Sequence, residues 1–345
     1  IGHRLDGASG EITYATAKAS LVPSNAQNAP SPRNELVKSD PLTTNHRYVN
    51  FTVSIDDVGK GGESSSIVPL HHLPDSSMAM MAKNTIDNRY ADGKLGDMFP
   101  EPEHPVYRFA MSIDLNRCNG CGSCEVACYA ENNIPLVGPE QIRLGRTMSW
   151  TRLSRYWNGD DETPDIRFQP VMCQHCSHAP CEGVCPVLAT YHNLDGLNAM
   201  IYNRCVGTRY CANNCPYSAR KFNYHTYDWP EPFLMMLNPE VSTRTMGVME
   251  KCTYCVQRIQ NTKIKAKREN REIGPNEITT ACQDACATGA IVFGDLENPQ
   301  SRVAKEQGSV RAYSMLGELN VRPRTKYLAR VRNPHPALVS AEASH

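Results

Sequence analysis

The chain has 345 residues, with 36 basic and 36 acidic side chains, 40% hydrophobic residues and 15 cysteines. Balanced charge argues against a nucleic-acid surface or a polybasic membrane patch, and no run approaches the roughly 18 consecutive apolar residues of a membrane helix. An odd cysteine count in so long a chain excludes a fully paired disulfide scaffold, a device of much smaller secreted domains, and points to metal ligation.

All the cysteines lie between Cys118 and Cys286, which divides the chain into three zones: an arm (1–104), a cysteine-bearing domain (105–296) and a C-terminal extension (297–345). The opening residue is Ile1 rather than Met, and we expect a signal segment or a further domain to belong before it. The arm is rich in Ser, Asn, Pro and Gly, as in "VPSNAQNAPSPRN" and "GKGGESSS". Such composition predicts an extended segment lying on a partner or on the rest of its own chain, with plain disorder as the alternative. The adjacent His71 and His72 read as part of a solvated loop rather than a metal site.

From Tyr107 onward, short strand-like runs alternate with cysteine loops. Strands are predicted over Tyr107–Ile113, Ile166–Val171, Ala199–Tyr202 and Ala290–Phe293, and helices over "EVACYAENN" and "VQRIQNTKIKAKREN". The extension predicts one helix and one strand, then a disordered end.

The first loop is Cys118, Cys121, Cys124 and Cys128, with two, two and three residues between successive cysteines. This is the bacterial ferredoxin run, whose fourth cysteine ligates a different cluster from the first three. The second loop is Cys173, Cys176, Cys181 and Cys185, followed by Pro186. The third is Cys205, Thr208, Cys211 and Cys215, followed by Pro216; the fourth is split into Cys252 and Cys255, then Cys282 and Cys286. The 15 cysteines and Thr208 fill four loops of four with none left over. Zinc sites would explain the Cys252/Cys255 pair but not the third and fourth cysteines of the other loops. The spacing therefore predicts four iron–sulfur clusters.

Buried anionic clusters need compensation from backbone N–H groups and cations. Arg117, Arg204 and Lys251 each precede the first cysteine of a loop, and Gly120, Gly122 and Gly207 would let the backbone approach the sulfurs. Thr208 is a hard, poorly acidic donor where iron prefers thiolate. A 3Fe-4S cluster is expected there, held by Cys205, Cys211 and one cysteine of the partner loop. The alternative is a 4Fe-4S cluster whose exposed iron carries water or hydroxide. No nucleophile, acid–base pair or nucleotide loop accompanies these clusters, so no catalytic residue is expected and the chain reads as an electron conductor.

The motifs "CNGCGSCEVACYAENNIP", "CQHCSHAPCEGVCP", "YNRCVGTRYCANNCPYSARKFNY", "EKCTYCVQRI" and "ACQDACATGAIVFGDL" resemble the four-cluster ferredoxin subunits of the complex iron–sulfur molybdoenzymes, over about residues 106–295. Thr208, the long arm and "KYLARVRNPHP" make the chain look more like the iron–sulfur subunit of bacterial alternative complex III. The resemblance implies an α+β fold of tandem ferredoxin-like modules, with a long irregular N-terminal arm and a short C-terminal tail. It implies three 4Fe-4S clusters, held by Cys118, Cys121, Cys124 and Cys286; by Cys252, Cys255, Cys282 and Cys128; and by Cys173, Cys176, Cys181 and Cys215. It assigns the 3Fe-4S cluster to Cys205, Cys211 and Cys185. It further implies passage of electrons from quinol, oxidised in a membrane-integral subunit, toward a cytochrome c or copper protein. The partners implied are that quinol-binding subunit, a molybdoenzyme-like region and c-type cytochrome subunits, on the outer face of the cytoplasmic membrane. The other reading is an electron-feeding subunit of a molybdopterin-dependent polysulfide or dimethyl sulfoxide reductase. The apolar insertion "TYDWPEPFLMMLNPEV" is read either as a docking edge or as a locally buried loop.

Overall fold

The computed structural model describes residues 106–158 and 165–332, with residue 104 and the short segments 4–5, 12–13, 43–44 and 47–58. It divides into two units, Ile1–Val37 and Lys38–His345. In the first, Arg4–Leu5 pairs antiparallel with Ile12–Thr13. His71 and His72 lie outside the described residues.

The second unit is built on a four-stranded sheet in the order Ile291–Asp295, Phe109–Asp114, Thr325–Leu328, Ala312–Tyr313. Phe109–Asp114 pairs antiparallel with Ile291–Asp295, Met111 opposite Phe293, and parallel with Thr325–Leu328. All six residues of Phe109–Asp114 are buried, as expected for a strand covered on both faces. Because side chains alternate along a strand, Phe109, Met111 and Ile113 join the main core with Cys124, Cys128, Cys173, Cys252 and Cys282. Ala110 faces the other way, against Val292 and Val303. Helix Arg302–Gln307 covers that second face, and Gln307 Nε2 donates to the carbonyls of Met111 at 2.8 Å and Arg324 at 2.9 Å.

The predicted strands appear as Phe109–Asp114, Asp165–Val171, Asn198–Met200 and Ile291–Asp295, and the predicted helices as Ser123–Glu131 and Val256–Arg268. Arg152–Asn158, which was not predicted, forms an antiparallel hairpin with Asp165–Val171. The extension departs from its expected form as a tail. Residues 302–332 supply a helix and three strands, of which Thr325–Leu328 lies inside the main sheet. Part of the arm also lies on its own chain. Thr52–Ser54 pairs parallel with Arg330–Arg332, Val49 and Val53 are buried in the core, and the Tyr313 hydroxyl donates to the Val49 carbonyl at 3.3 Å. Among the described residues no helix is long and apolar enough to cross a membrane.

Candidate metal centres

The cysteine loops begin where the backbone turns left-handed. Gly120 (φ +73°) and Gly207 (φ +74°) allow this without penalty. A Cβ at Gly207 would stand 2.5 Å from the Gly247 carbonyl oxygen, and one at Gly120 would stand 2.5 Å from the Phe168 ring. Helix Ser123–Glu131 starts directly after Gly122 (φ +80°) and carries Cys124 and Cys128 one turn apart. Helix Val256–Arg268 starts directly after Cys255, itself left-handed.

The thiols gather in four sets. In the first, the Cys124 thiol is pushed up to about 12 by burial and then by Cys118, Cys121 and Cys286. Burial raises Cys118 too, opposed by the Gly120 N–H and reinforced by Cys286 and Cys121. In the second, burial holds Cys128 well above the ordinary thiol range, with Cys255 and Cys282 adding to it. Cys252 is raised in the same way by burial, Cys128 and Cys282. In the third, burial and then Cys173, Cys215 and Cys181 raise Cys176. In the fourth, burial raises Cys211, Arg220 pulls it back, and Cys205 and Cys185 add to the rise. Cys286 of loop four thus acts on loop one, Cys128 of loop one on loop four, Cys215 of loop three on loop two and Cys185 of loop two on loop three.

Backbone donors are aimed at these sulfurs. Ala290 N–H reaches Cys286 Sγ at 3.2 Å, Ala189 N–H reaches Cys185 Sγ at 3.2 Å, Tyr254 N–H reaches Cys252 Sγ at 3.4 Å and Met249 N–H reaches Cys205 Sγ at 3.4 Å. Burial would raise Cys286 and Cys185, but the Thr288 hydroxyl and then backbone N–H groups hold Cys286, and backbone N–H groups hold Cys185, below the ordinary thiol range. All fifteen cysteines are free of disulfides. Among the described residues, no three His, Cys, Asp or Glu side chains converge as ligands of a single ion. A cluster's own iron and sulfide atoms separate its cysteines more widely than the ligands of one zinc ion with Zn–S bonds of roughly 2.3 Å. Soft thiol donors in sets, backbone N–H groups directed at sulfur and buried cations nearby all fit iron–sulfur clusters.

Thr208 is exposed and lines a small cavity with Cys185, Cys205 and Cys211. Of the three cations expected beside the loops, only Lys251 is buried. Its Nζ donates to the Cys252 carbonyl at 2.9 Å. Arg204 is exposed, and Arg117 is a half-exposed partner of Asp114 at 3.7 Å. Three residues escaped the sequence reading. Arg220 is buried between the third and fourth sets. His175 and Tyr254 stack with ring centroids 3.9 Å apart, and His175 Nε2 lies 3.1 Å from the Cys252 carbonyl, joining loops two and four. The only signal available was that His175 and Tyr254 each sit inside a Cys-x-x-Cys pair.

The sets follow one another in space. Cys124 of the first acts on Cys282 of the second, Cys173 of the third acts on Cys252 of the second, and Arg220 acts on cysteines of the third and fourth. The insertion bearing Phe233–Met236 forms a 3-10 turn on the surface, with Met235 88% and Met236 75% exposed, so the buried-loop reading does not hold. It is anchored by Asn133, whose Oδ1 accepts the Asn238 N–H at 2.7 Å and whose Nδ2 donates to the Asn238 carbonyl at 2.9 Å.

Residues 117–189 and 164–231 each match a 4Fe-4S dicluster domain family. The chain is 40% identical over 228 residues to the menaquinone reductase iron–sulfur cluster-binding subunit of Nitratidesulfovibrio vulgaris, covering 65% of this chain and 89% of that protein. It is 35% identical over 224 residues to the Hdr-like menaquinol oxidoreductase iron–sulfur subunit 1 of Archaeoglobus fulgidus, covering 60% and 77%. With the B subunit of polysulfide reductase from Wolinella succinogenes it shares 28% identity over 221 residues, covering 63% and 92%. The chain belongs to the family of iron–sulfur cluster-binding subunits that includes that of menaquinone reductase.

Proposed function

We propose that this protein is the iron–sulfur electron-transfer subunit of a quinone-linked complex of the molybdoenzyme type. The observation that carries the reading is the row of four cysteine sets, with nine of the fifteen cysteines buried and each set acting on the next. Bound iron–sulfur clusters supply one-electron redox chemistry over potentials spanning roughly −700 to +450 mV. The chain's own residues hold these centres in order, keep water from the inner ones and direct N–H dipoles and cations at them. Cys118, Cys121, Cys124 and Cys286 would hold the first centre, and Cys128, Cys252, Cys255 and Cys282 the second. Cys173, Cys176, Cys181 and Cys215 would hold the third. Cys185, Cys205 and Cys211 would hold the fourth, as 3Fe-4S.

The partners in this reading are a membrane quinone-binding subunit, reached through the exposed Phe233–Met236 turn, and a molybdopterin-dependent subunit. The names of the relatives support the quinone link. A second reading is the iron–sulfur subunit of alternative complex III, sending electrons from quinol toward a cytochrome c or copper protein on the outer membrane face. Thr208 at the exposed corner of the fourth set favours it. Electron paramagnetic resonance on the purified complex, with iron and molybdenum counted, tests both. Cluster signals that appear within turnover time on adding quinol support the electron-transfer role, and clusters that quinol never reduces would overturn the quinone link. Molybdenum present selects the first reading. Its absence, with c-type haem in its place, selects the second.

A further inference from the structure

Arg220 is only 5% exposed and sits on no ligand position of any loop. Its Nη1 donates to Thr190 Oγ1 at 3.1 Å and its Nη2 to Asn198 Oδ1 at 3.0 Å, and both acceptors are neutral. Glu182 stands one residue further out, bonded to Asn198 Nδ2. A guanidinium withdrawn from water is costly unless an anion accompanies it. The groups that act on it as anions are sulfurs. Asn198 Oδ1, which accepts from Nη2, lies 4.0 Å from Cys181 Sγ of the third set, and Nη1 lies 3.9 Å from the sulfur of Met200, which packs against Cys181 and against Cys211 of the fourth. Cys181, Cys211 and then Cys173 act on the guanidinium. In turn it acts on Cys185 and Cys215, so its charge is felt by both sets.

We propose that Arg220 is a shared positioning residue for the third and fourth centres, its one buried cation raising the reduction potentials of both and favouring passage of an electron between them. The proposal rests on the assignment of clusters to these cysteines. Reduction adds negative charge to a centre, and a fixed cation beside its sulfur stabilises the reduced form more than the oxidised one. Because the guanidinium lies beside cysteines of both sets, its charge lifts both centres rather than one alone. Lysine keeps the charge but, as a single point donor, loses the paired fork that bonds Thr190 and Asn198 at once. The rival account makes Arg220 a plain tie between loop three and the hairpin Thr190–His192/Asn198–Met200.

Potentials separate the two accounts. The complex is purified with Arg220→Gln and Arg220→Lys, iron and acid-labile sulfide are counted, and each centre is titrated by electron paramagnetic resonance. With clusters retained, Arg220→Gln lowers the midpoint potentials of the third and fourth centres together and leaves the first and second in place, while Arg220→Lys restores much of the loss. Unmoved potentials in Arg220→Gln with full cluster content overturn the proposal in favour of the tie. If that variant does not assemble, Asn198→Asp, which sets a carboxylate against Nη2 without removing the arginine, must produce the same paired fall; a change at one centre or none overturns the proposal. A parent complex lacking iron and sulfide would instead overturn the cluster assignment.

Discussion

Thr208 stands where the other three loops carry cysteine, on the exposed side of a cavity that Cys185, Cys205 and Cys211 share. A hydroxyl that stays protonated at neutral pH is a poor ligand for iron that prefers thiolate. Thr208→Cys is expected to add about one iron per chain and to abolish the near-isotropic signal of an oxidised three-iron centre. Iron analysis and electron paramagnetic resonance of the oxidised complex check this. A signal that persists in the variant would place the three-iron centre elsewhere. Gly207, next to it, has a steeper constraint, because its positive φ and the 2.5 Å approach that an added Cβ would make to the Gly247 carbonyl oxygen both oppose substitution. Gly207→Ala is expected to cost about 1–3 kcal/mol locally and to lower iron occupancy at the fourth centre first, read as selective loss of its signal.

Arg258, on helix Val256–Arg268, ties two other helices. Its Nη2 reaches Glu131 Oε2 at 2.9 Å and its Nη1 reaches Asp284 Oδ2 at 2.5 Å. Those helices carry Cys124, Cys128 and Cys282, so the tie joins cysteines of the first and second sets. Burial alone would raise the Glu131 carboxyl, but hydrogen bonds from Arg258 and Gln257 hold it below the ordinary glutamate range. A depressed folded value means that the contribution is complete above the unfolded value of roughly 4.3 and is lost as pH falls through the folded one. Arg258→Ala should therefore cost about 1 kcal/mol at neutral pH, a modest figure because the pair is partly solvated. The gap from the parent should shrink below about pH 4. Thermal release of the clusters, followed by their visible absorbance at several pH values, measures it, and a gap that does not vary with pH would exclude Glu131 as the source.

At the scale of the whole molecule, the cysteines are part of the core. Cys124, Cys128, Cys173, Cys176, Cys252 and Cys282 pack in the same cluster as Phe109, Phe293 and Tyr327. Extraction of iron with a chelator under reducing conditions should therefore collapse the fold rather than leave an ordered apoprotein, because binding energy and folding energy are coupled in such sites. Far-ultraviolet circular dichroism before and after extraction checks this, and an unchanged spectrum would mean that the sheet stands without its clusters. The surface turn Phe233–Met236 makes a separate prediction. Apolar side chains grouped in the open mark interaction sites, and the double substitution Leu234→Asp with Met235→Asp should release the subunit from the membrane partner proposed for it while its cluster spectrum stays intact. Co-purification with the membrane fraction reads the result, and unchanged assembly would remove this turn from the interface.

The sequence by itself determined the chemistry of the loops. The spacing of Cys118, Cys121 and Cys124, the gap at Thr208 and the helices that follow loops one and four were legible because a cluster loop is local, set by a few successive residues and the turns between them. It did not reveal the hairpin strand Arg152–Asn158, whose inward positions include the polar Ser154 beside Tyr156 and so hide the alternation of a strand. Nor did it show that Thr325–Leu328 would enter the main sheet, since its partner Phe109–Asp114 lies some two hundred residues away in the chain. The burial of Arg220 while Arg204 stays in solvent and the His175–Tyr254 stack were decided by tertiary structure alone. Each depends on which distant segments meet, and burial, which turns an ordinary arginine into a buried charge among thiols, exists only once they have.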